Sequence, residues 1–484
     1  MKIALIQCPA WGPILPLGIA SLKSYLVKNG YDVKCFDLNI SFYNSSSEQD
    51  KEHLWGSHCY NQWSYDYSNN KEIRFSQGSV FNDTPLPLRQ WADEILSFDP
   101  YVVGFSTNLT NKATSLLLAR ELKTIKPELF ITFGGPSAAE NSHGYLILRS
   151  GIPDVVVHGE GEETLLEIIR VLEKGGDLYS IPGIGYFKYG STVWTSARPP
   201  IRDFDSLPFP DFSDFTLNQY LHPNDIPIMA SRGCTRNCVY CYETVFWEKF
   251  RSRSAKNIFE EMTYRVAQYA YRLPANGNAD ADHMQPTPLN FIFADSLING
   301  NLKVLRELCD ILIEQKLIAF WGGQANIDKR MDDEFFLKMK QAGCVWLAFG
   351  LESGSQKVLD DMGKKFLIRD AGTVIESAYK AGIWVTVNVM VGFPTESFLD
   401  FIRTVVFLFK IRKWIVQVSN VTTTQINFGT PLWSNAKEYN VTLLKDGSWT
   451  SPETGNVKNR NRRQKLLHWA MDRFNIPHQK IAED

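Results

Sequence analysis

Short apolar runs and amphipathic helical repeats alternate along this chain twice, on either side of a proline-marked connector. In the first round "KIALIQC", "DVKCFDLN", "YVVGFSTN", "LFITFGG" and "DVVVHGE" read as buried strands. Between and after them, "LGIASLKSYLVK", "KATSLLLARELKTI" and "EETLLEIIRVLEKG" carry helical spacing. In the first of these, Ile19, Leu22 and Leu26 share a face and Gly30 follows as a stop signal. Apolar strands joined by amphipathic helices predict a parallel sheet covered on both faces. Residues 44–88, polar and aromatic, read as an insertion that interrupts this sheet, of the length that lids and mobile segments have. Residues 183–197 predict a hairpin turning at Tyr189-Gly190, and the connector "RPPIRDFDSLPFPDF" reads as an extended linker.

In the second round the strands are "DIPIMAS", "LNFIFAD", "IAFWGGQA", "VWLAFGLES", "WVTVNVMVGF" and "VQVSNVTTTQI". Helices are predicted near 254–271, 301–315, 332–342, 370–381 and 397–411. Six such units in a row predict an open or partial parallel barrel with its active face at the carboxyl ends of the strands. The expected boundaries are a first domain over 1–180, hairpin and linker over 181–225, the barrel over 226–440 and a charged tail over 441–484 with one helical pattern, "RRQKLLHWAMDRF".

With 51 basic and 53 acidic side chains the formal net charge is −2, so electrostatics imply no nucleic acid. "MKIALIQCPA" lacks the pattern of an export signal, and "TVVFLFKIRKWIVQV" is broken by Lys410, Arg412 and Lys413, so no membrane span is expected. The expected setting is the cytoplasm, where thiols stay reduced and clustered cysteines hold metals or do chemistry rather than pair.

That bears on "GCTRNCVYCYE", where Cys234, Cys238 and Cys241 follow the first strand of the second round. Cys8, Cys35, Cys59, Cys309 and Cys344 are scattered and read as structural. Cys238 and Cys241 have zinc-like spacing, but structural zinc wants four ligands, and neither His222 nor His283 stands in a pairing pattern. Three thiolates on one loop suit an iron–sulfur cluster better, holding three irons of four and leaving the last open to substrate.

CxxxCxxC with Tyr240 before the third cysteine resembles the radical S-adenosylmethionine (SAM) family. "FGLESGSQKVLDDMGK" (349–364), "VGFPTES" (391–397) and "FGTPLW" (428–433) resemble that family's segments after the fourth, fifth and sixth strands. The resemblance implies a [4Fe-4S] cluster on Cys234, Cys238 and Cys241, with SAM on the open iron and cleaved by one electron to a 5′-deoxyadenosyl radical. It implies SAM contacts from Tyr240 and from Glu352 or Ser353, and less directly from Asp295 and Asn388, which could equally be strand-end groups satisfying backbone amides. Two departures stand out: the family's glycine-glycine-glutamate reads "FADSLING", and an arginine frequent after the third strand is Asn326.

In the first domain the dinucleotide-binding GxGxxG is absent; "CPAWGPILPLG" instead carries three prolines that remove N–H donors. Asp37 would suit a ribose, but alone it is a weak signal. "PLGIASLKSYLVKNGYDVKCFDLN", "GFSTN", "FGGPSA" and "VHGEGEETL" resemble the Rossmann-like cobalamin-binding domain that precedes many radical SAM barrels. The small residues Ser106, Thr107, Gly134 and Gly135 would let the cofactor's nucleotide tail pass close to the sheet, and Gly159 and Glu160 belong to the same resemblance. DxHxxG is missing from the first turn, so the cobalt is expected to have no histidine lower ligand.

The whole therefore reads as α/β: a Rossmann-like cobalamin-binding-type domain, then a partial (β/α)6 TIM-like radical SAM barrel and a short helical tail. The resemblance implies a cobalamin-dependent methyltransferase acting on an unactivated carbon of a small-molecule or lipid-like substrate, reduced by flavodoxin or ferredoxin. Two other readings stay open: a cyclisation, rearrangement or coupling without methyl delivery, and a non-catalytic cobalamin or metal sensor. The aromatics Trp55, Trp63, Tyr65 and Tyr67 would suit a flat or greasy substrate, though such rings also fill space.

Overall fold

A computed structural model describes residues 1–10, 12–55, 86–247, 249–269, 288–444 and 447–479. The chain divides into two compact units, one from Met1 to Pro223 and the other from Asn224 to Ile481. Most of the predicted insertion, including Cys59, Trp63, Tyr65 and Tyr67, lies outside the described residues, as does His283.

The first unit runs β1 (Lys2–Gln7), α1 (Leu17–Lys28), β2 (Asp32–Asp37), α2 (Leu38–Ser45), α3 (Glu48–Trp55), α4 (Leu88–Ser97), β3 (Val102–Ser106), α5 (Lys112–Ile125), β4 (Phe130–Gly134), α6 (Gly144–Arg149), β5 (Val155–Val157), α7 (Gly161–Lys174), β6 (Ile184–Lys188) and β7 (Ser191–Trp194). Its seven strands lie in the order β2-β1-β3-β4-β5-β6-β7. The first five are parallel, and the predicted hairpin extends the sheet as an antiparallel pair. It turns at Tyr189 and Gly190, both at positive φ, the backbone that two-residue hairpin turns require.

Strand alternation divides the central strands between two faces. Val103, Phe105, Ile131 and Phe133 pack one way, against Trp91, Leu116 and Leu122. Gly104, Ser106, Thr132 and Gly134 therefore face the other way. Helix α4, at the edge of the predicted insertion, was not expected; Trp91, Ala92 and Ile95 bury one face of it. Asp37 is spent as the cap of α2: it accepts the Asn39 and Ile40 amides and, at 2.7 Å, the Tyr220 hydroxyl.

The second unit runs β8 (Asp225–Ile228), β9 (Ser231–Arg232), α8 (Glu243–Phe246), β10 (Arg251–Ser252), α9 (Ala255–Tyr269), β11 (Leu289–Phe293), α10 (Leu302–Glu314), β12 (Ala319–Ala325), α11 (Asp333–Gln341), β13 (Cys344–Glu352), α12 (Gln356–Asp361), α13 (Ile368–Lys380), β14 (Trp384–Val391), α14 (Phe398–Ile411), β15 (Gln417–Thr423), α15 (Pro431–Ser434), β16 (Thr442–Leu443), β17 (Trp449–Thr450) and α16 (Val457–Arg473). Six strands make one parallel sheet, ordered β15-β14-β13-β12-β11-β8. Strands β8 and β15 end the order, so the barrel is open, as expected. The chain after α16 returns along the β15 edge, where Val418 N–H donates to Pro477 and Val418 C=O accepts from Gln479. Those bonds occupy backbone groups that an edge strand would otherwise expose.

Candidate functional site

The cysteine loop starts where β9 ends. Gly233 makes the entry turn at φ +85°, and a Cβ there would lie 2.8 Å from the Lys249 carbonyl oxygen. The loop is pinned on two sides. Val239 N–H donates to Met362 C=O at 3.1 Å, and Leu432 N–H donates to Val239 C=O at 2.8 Å. The Arg236 guanidinium reaches the carbonyls of Lys365 and Ile327. Gly363, at φ +75°, brings its chain so close that a Cβ would meet Asn237 O at 3.1 Å.

Cys238 is buried, and Cys234 and Cys241 are partly so. Burial pushes all three thiols up, Cys241 to about 12; Cys238 raises Cys234 further, and both raise Cys241, while Lys364 works against the rise at Cys238. Amide donors already point at sulfur: Arg236 N–H lies 3.4 Å from Cys234 Sγ, and the Glu243 N–H serves Cys241. Such a donor set, thiols whose sulfurs already accept N–H bonds, fits an iron–sulfur cluster. Among the described residues, no three His, Cys, Asp or Glu side chains converge as ligands of a single metal ion would.

Tyr240 and Glu352, expected to serve one ligand, come together: burial raises the Tyr240 phenol, and the adjacent Glu352 carboxylate raises it further. Glu352 closes β13 at φ +65° and accepts from Lys364 Nζ at 3.1 Å. Ser353 is placed differently. It is fully buried, shares a hydrogen bond with Thr404 of α14 and accepts the Ser355 N–H, so Glu352 is the one of the two beside the loop.

Asp295 accepts the Ala230 N–H at 2.9 Å and the Ser231 hydroxyl, which is the backbone-satisfying role of a strand-end carboxylate. Asn388 ties β12 to β15, donating to Gln324 and accepting from Ser419 at 2.9 Å. Asn326 exchanges backbone bonds with the Asn299 side chain, while its own Nδ2 is buried without a hydrogen-bond partner. That leaves a donor at the carboxyl end of β12 for an incoming ligand to satisfy.

In the first unit, Thr107 donates through both N–H and hydroxyl to Gly134 C=O at 2.8 Å. Gly135, at φ +91°, packs so tightly that a Cβ would lie 2.6 Å from Thr107 O. Gly134 has room, its nearest neighbour being Val157 Cβ at 3.8 Å. A Cβ on Gly18 of α1 would lie 3.7 Å from Ser106 Oγ, so the small-residue face of β3 and β4 continues onto α1. Thr132 Oγ1 and Ser137 Oγ, on and just after β4, are buried with no partner. A glycine-lined face with unpaired hydroxyls beside it fits the polar nucleotide tail of a corrinoid. Gly159 turns at φ +86° with open space around its Cα, and Glu160 accepts the Ile201 N–H at 2.6 Å.

Residues 323–408 match the model of the radical SAM superfamily. The chain carries a radical SAM domain. An uncharacterized methyltransferase, PH0819, of Pyrococcus horikoshii is 26% identical over 72% of this chain and 72% of its own. The anaerobic magnesium-protoporphyrin IX monomethyl ester cyclase of Rubrivivax gelatinosus is 27% identical over 64% of this chain and 54% of its own. Among solved structures, the cobalamin-dependent SAM radical enzyme OxsB with aqua-cobalamin and SAM bound superposes with a TM-score of 0.69 at 17% identity, covering 97% of this chain and 66% of OxsB. That likeness extends through both units and shows the fold: a Rossmann-like domain followed by an open, partial parallel barrel. Among the described residues no helix is long and apolar enough to cross a membrane.

The radical SAM domain holds one residue that sequence reasoning passed over. Lys364 closes the "FGLESGSQKVLDDMGK" stretch, is buried, and lies among Glu352, Cys238 and Cys241. The signal was a lysine directly after Met-Gly in a stretch already matched to the family, but lysines are ordinarily surface residues, so it drew no role.

Proposed function

We propose that this radical SAM enzyme is a cobalamin-dependent methyltransferase acting on an unactivated carbon of a small-molecule or lipid-like substrate. The observation that carries the reading is the cysteine loop at the carboxyl end of the first barrel strand, pinned by Met362 and Gly363 with the Lys364–Glu352 pair beside it. Cys234, Cys238 and Cys241 would hold the [4Fe-4S] cluster. Glu352, kept in place by Lys364, would accept hydrogen bonds from the hydroxyls or ammonium of SAM, and Asn326 Nδ2 would donate. Tyr240 would cover the cluster side of that pocket and keep water from it. Ser106, Thr107, Gly134 and Gly135 would line the passage for the cobalamin tail, with Gly159 and Glu160 at the next strand end. When bound, the cluster with SAM supplies a hydrogen-abstracting radical, and cobalamin supplies a transferable methyl group. Electrons would come from a donor such as flavodoxin or ferredoxin.

Support for methyl transfer comes from the methyltransferase of Pyrococcus horikoshii and from OxsB, described as cobalamin-dependent. The cyclase of Rubrivivax gelatinosus supports a second reading, in which the same radical chemistry closes a ring and no methyl group moves. SAM bearing a trideuterated methyl group, incubated with the reconstituted enzyme and a pool of host metabolites and lipids, separates the two. Methyl transfer gives a labelled product with S-adenosylhomocysteine and 5′-deoxyadenosine in near-equal amounts. Ring closure gives 5′-deoxyadenosine, no S-adenosylhomocysteine and an unlabelled product.

A further inference from the structure

We propose that the outer face of α14, continued by α16, docks the enzyme onto an anionic lipid bilayer. Helix α14 buries Phe401, Thr404, Val405, Leu408 and Ile411 against its own unit. That should leave a polar side toward water. Instead its exposed positions are Phe398, Leu399, Ile402, Arg403, Val406, Phe409 and Lys410, followed by Lys413: five apolar side chains and three cations; buried Asp400 pairs with Arg403 at 2.8 Å, which leaves the net positive charge to Lys410 and Lys413. The apolar ones are well exposed, Phe398 at 60% and Leu399 at 59%. The Phe409 and Phe474 rings meet edge to face at 5.9 Å, which joins this face to the end of α16. Along α16 itself Leu466 and Trp469 are exposed, as are the cations Arg462, Lys465 and Arg473 and one carboxylate, Asp472.

This combination selects the occupant. A helix lying in a membrane interface presents bulky apolar side chains to the acyl boundary and cations to the headgroups. Long Lys and Arg side chains reach outward past the apolar plane to do so. A second copy of the chain fits worse. A two-fold contact would press this patch against itself, bringing Lys410 and Lys413 of two copies together with no exposed carboxylate on α14 to separate them. The docking is peripheral and independent of which reaction the enzyme catalyses.

The test is flotation of the full-length chain with vesicles of phosphatidylcholine alone and of phosphatidylcholine mixed with phosphatidylglycerol, at low and high salt. Two variants accompany it, Lys410→Gln/Lys413→Gln and Phe398→Ser/Leu399→Ser, both at exposed positions, with thermal melts to confirm folding. The wild type is expected to float with the anionic vesicles only and to be released by salt. At low salt, where the wild type floats, the charge pair is expected to weaken partitioning by on the order of 25-fold, about fivefold per cation, and the apolar pair to weaken it as well. Three results would overturn the proposal: no flotation of the wild type, equal flotation with both vesicle types, or flotation unchanged in both variants. So would light scattering that shows a dimer which Phe398→Ser/Leu399→Ser converts to monomer, because the face would then join copies of the chain.

Discussion

Lys364 Nζ lies 3.1 Å from Glu352 Oε1, and both side chains are largely out of water, at 5% and 14% exposure. Gly350 makes room for the pair. A Cβ there would sit 3.0 Å from Glu352 Oε1 and 3.1 Å from Lys364 Nζ. The pair stands where α12 turns back toward the cysteine loop, so it couples the end of β13 to the wall of the proposed cluster site.

Removing one partner of a buried ion pair leaves the other charged and unsolvated. Lys364→Met is therefore expected to cost about 3 kcal/mol. Glu352→Gln/Lys364→Met, which removes both charges, is expected to recover more than half of that. Urea titration of the two variants and the wild type checks this. A double variant as unstable as the single one would mean that lost packing, not the stranded charge, dominates.

The two adjacent glycines after β4 are expected to behave differently. Gly135→Ala puts a Cβ 2.6 Å from the Thr107 carbonyl at φ +91°, so it should destabilise by about 2 kcal/mol or more. Gly134→Ala meets only Val157 Cβ at 3.8 Å and should fold normally. Thermal melts distinguish them, and corrin absorbance after desalting from hydroxocobalamin reports on the proposed passage. Gly134→Trp should abolish that absorbance while the melt of the protein stays cooperative.

Burial raises the Asp37 carboxyl from 3.8 to about 6, outweighing the hydrogen bonds from Tyr220, Ile40 and Asn39 that lower it. The folded state thus holds this proton more tightly than the unfolded state does. The resulting stability is fully present below pH ~4 and is lost as pH rises through ~6, a change of about 3 kcal/mol at most. Asp37→Asn cannot ionise, so its melting temperature relative to wild type should be higher at about pH 7.5 than at about pH 4. Asp295, also raised to about 6 by burial, contributes in the same window and with the same sign. A difference independent of pH would mean that Asp37 keeps an ordinary pKa in the folded protein.

Much of this architecture was legible from periodicity alone. Helix α1 was predicted over the residues it occupies, and the strands of both sheets fall within the predicted runs and hairpin, except that β13 starts one residue earlier, at Cys344. Helices α4 and α12 were not legible, because each is short and adjoins a segment read for something else. Site chemistry was legible where it depends on spacing, as in Cys234, Cys238 and Cys241. It was not legible where it depends on what lies across the fold. Asp295 and Ser353 sit at strand ends like Glu352, yet backbone amides or α14 consume them. Lys364 gained its place only when α12 folded it back onto Glu352.

The central claim is that the loop of Cys234, Cys238 and Cys241 holds a cluster that cleaves SAM. The most direct measurement is iron content and 5′-deoxyadenosine yield after anaerobic reconstitution with iron and sulfide, in wild type, Cys238→Ala and Cys309→Ala. Cys309 is buried within α10 and serves as the control. The account predicts one four-iron cluster per chain and reductant-dependent 5′-deoxyadenosine in wild type and Cys309→Ala, with both lost in Cys238→Ala. Iron retained in Cys238→Ala and lost in Cys309→Ala would contradict it.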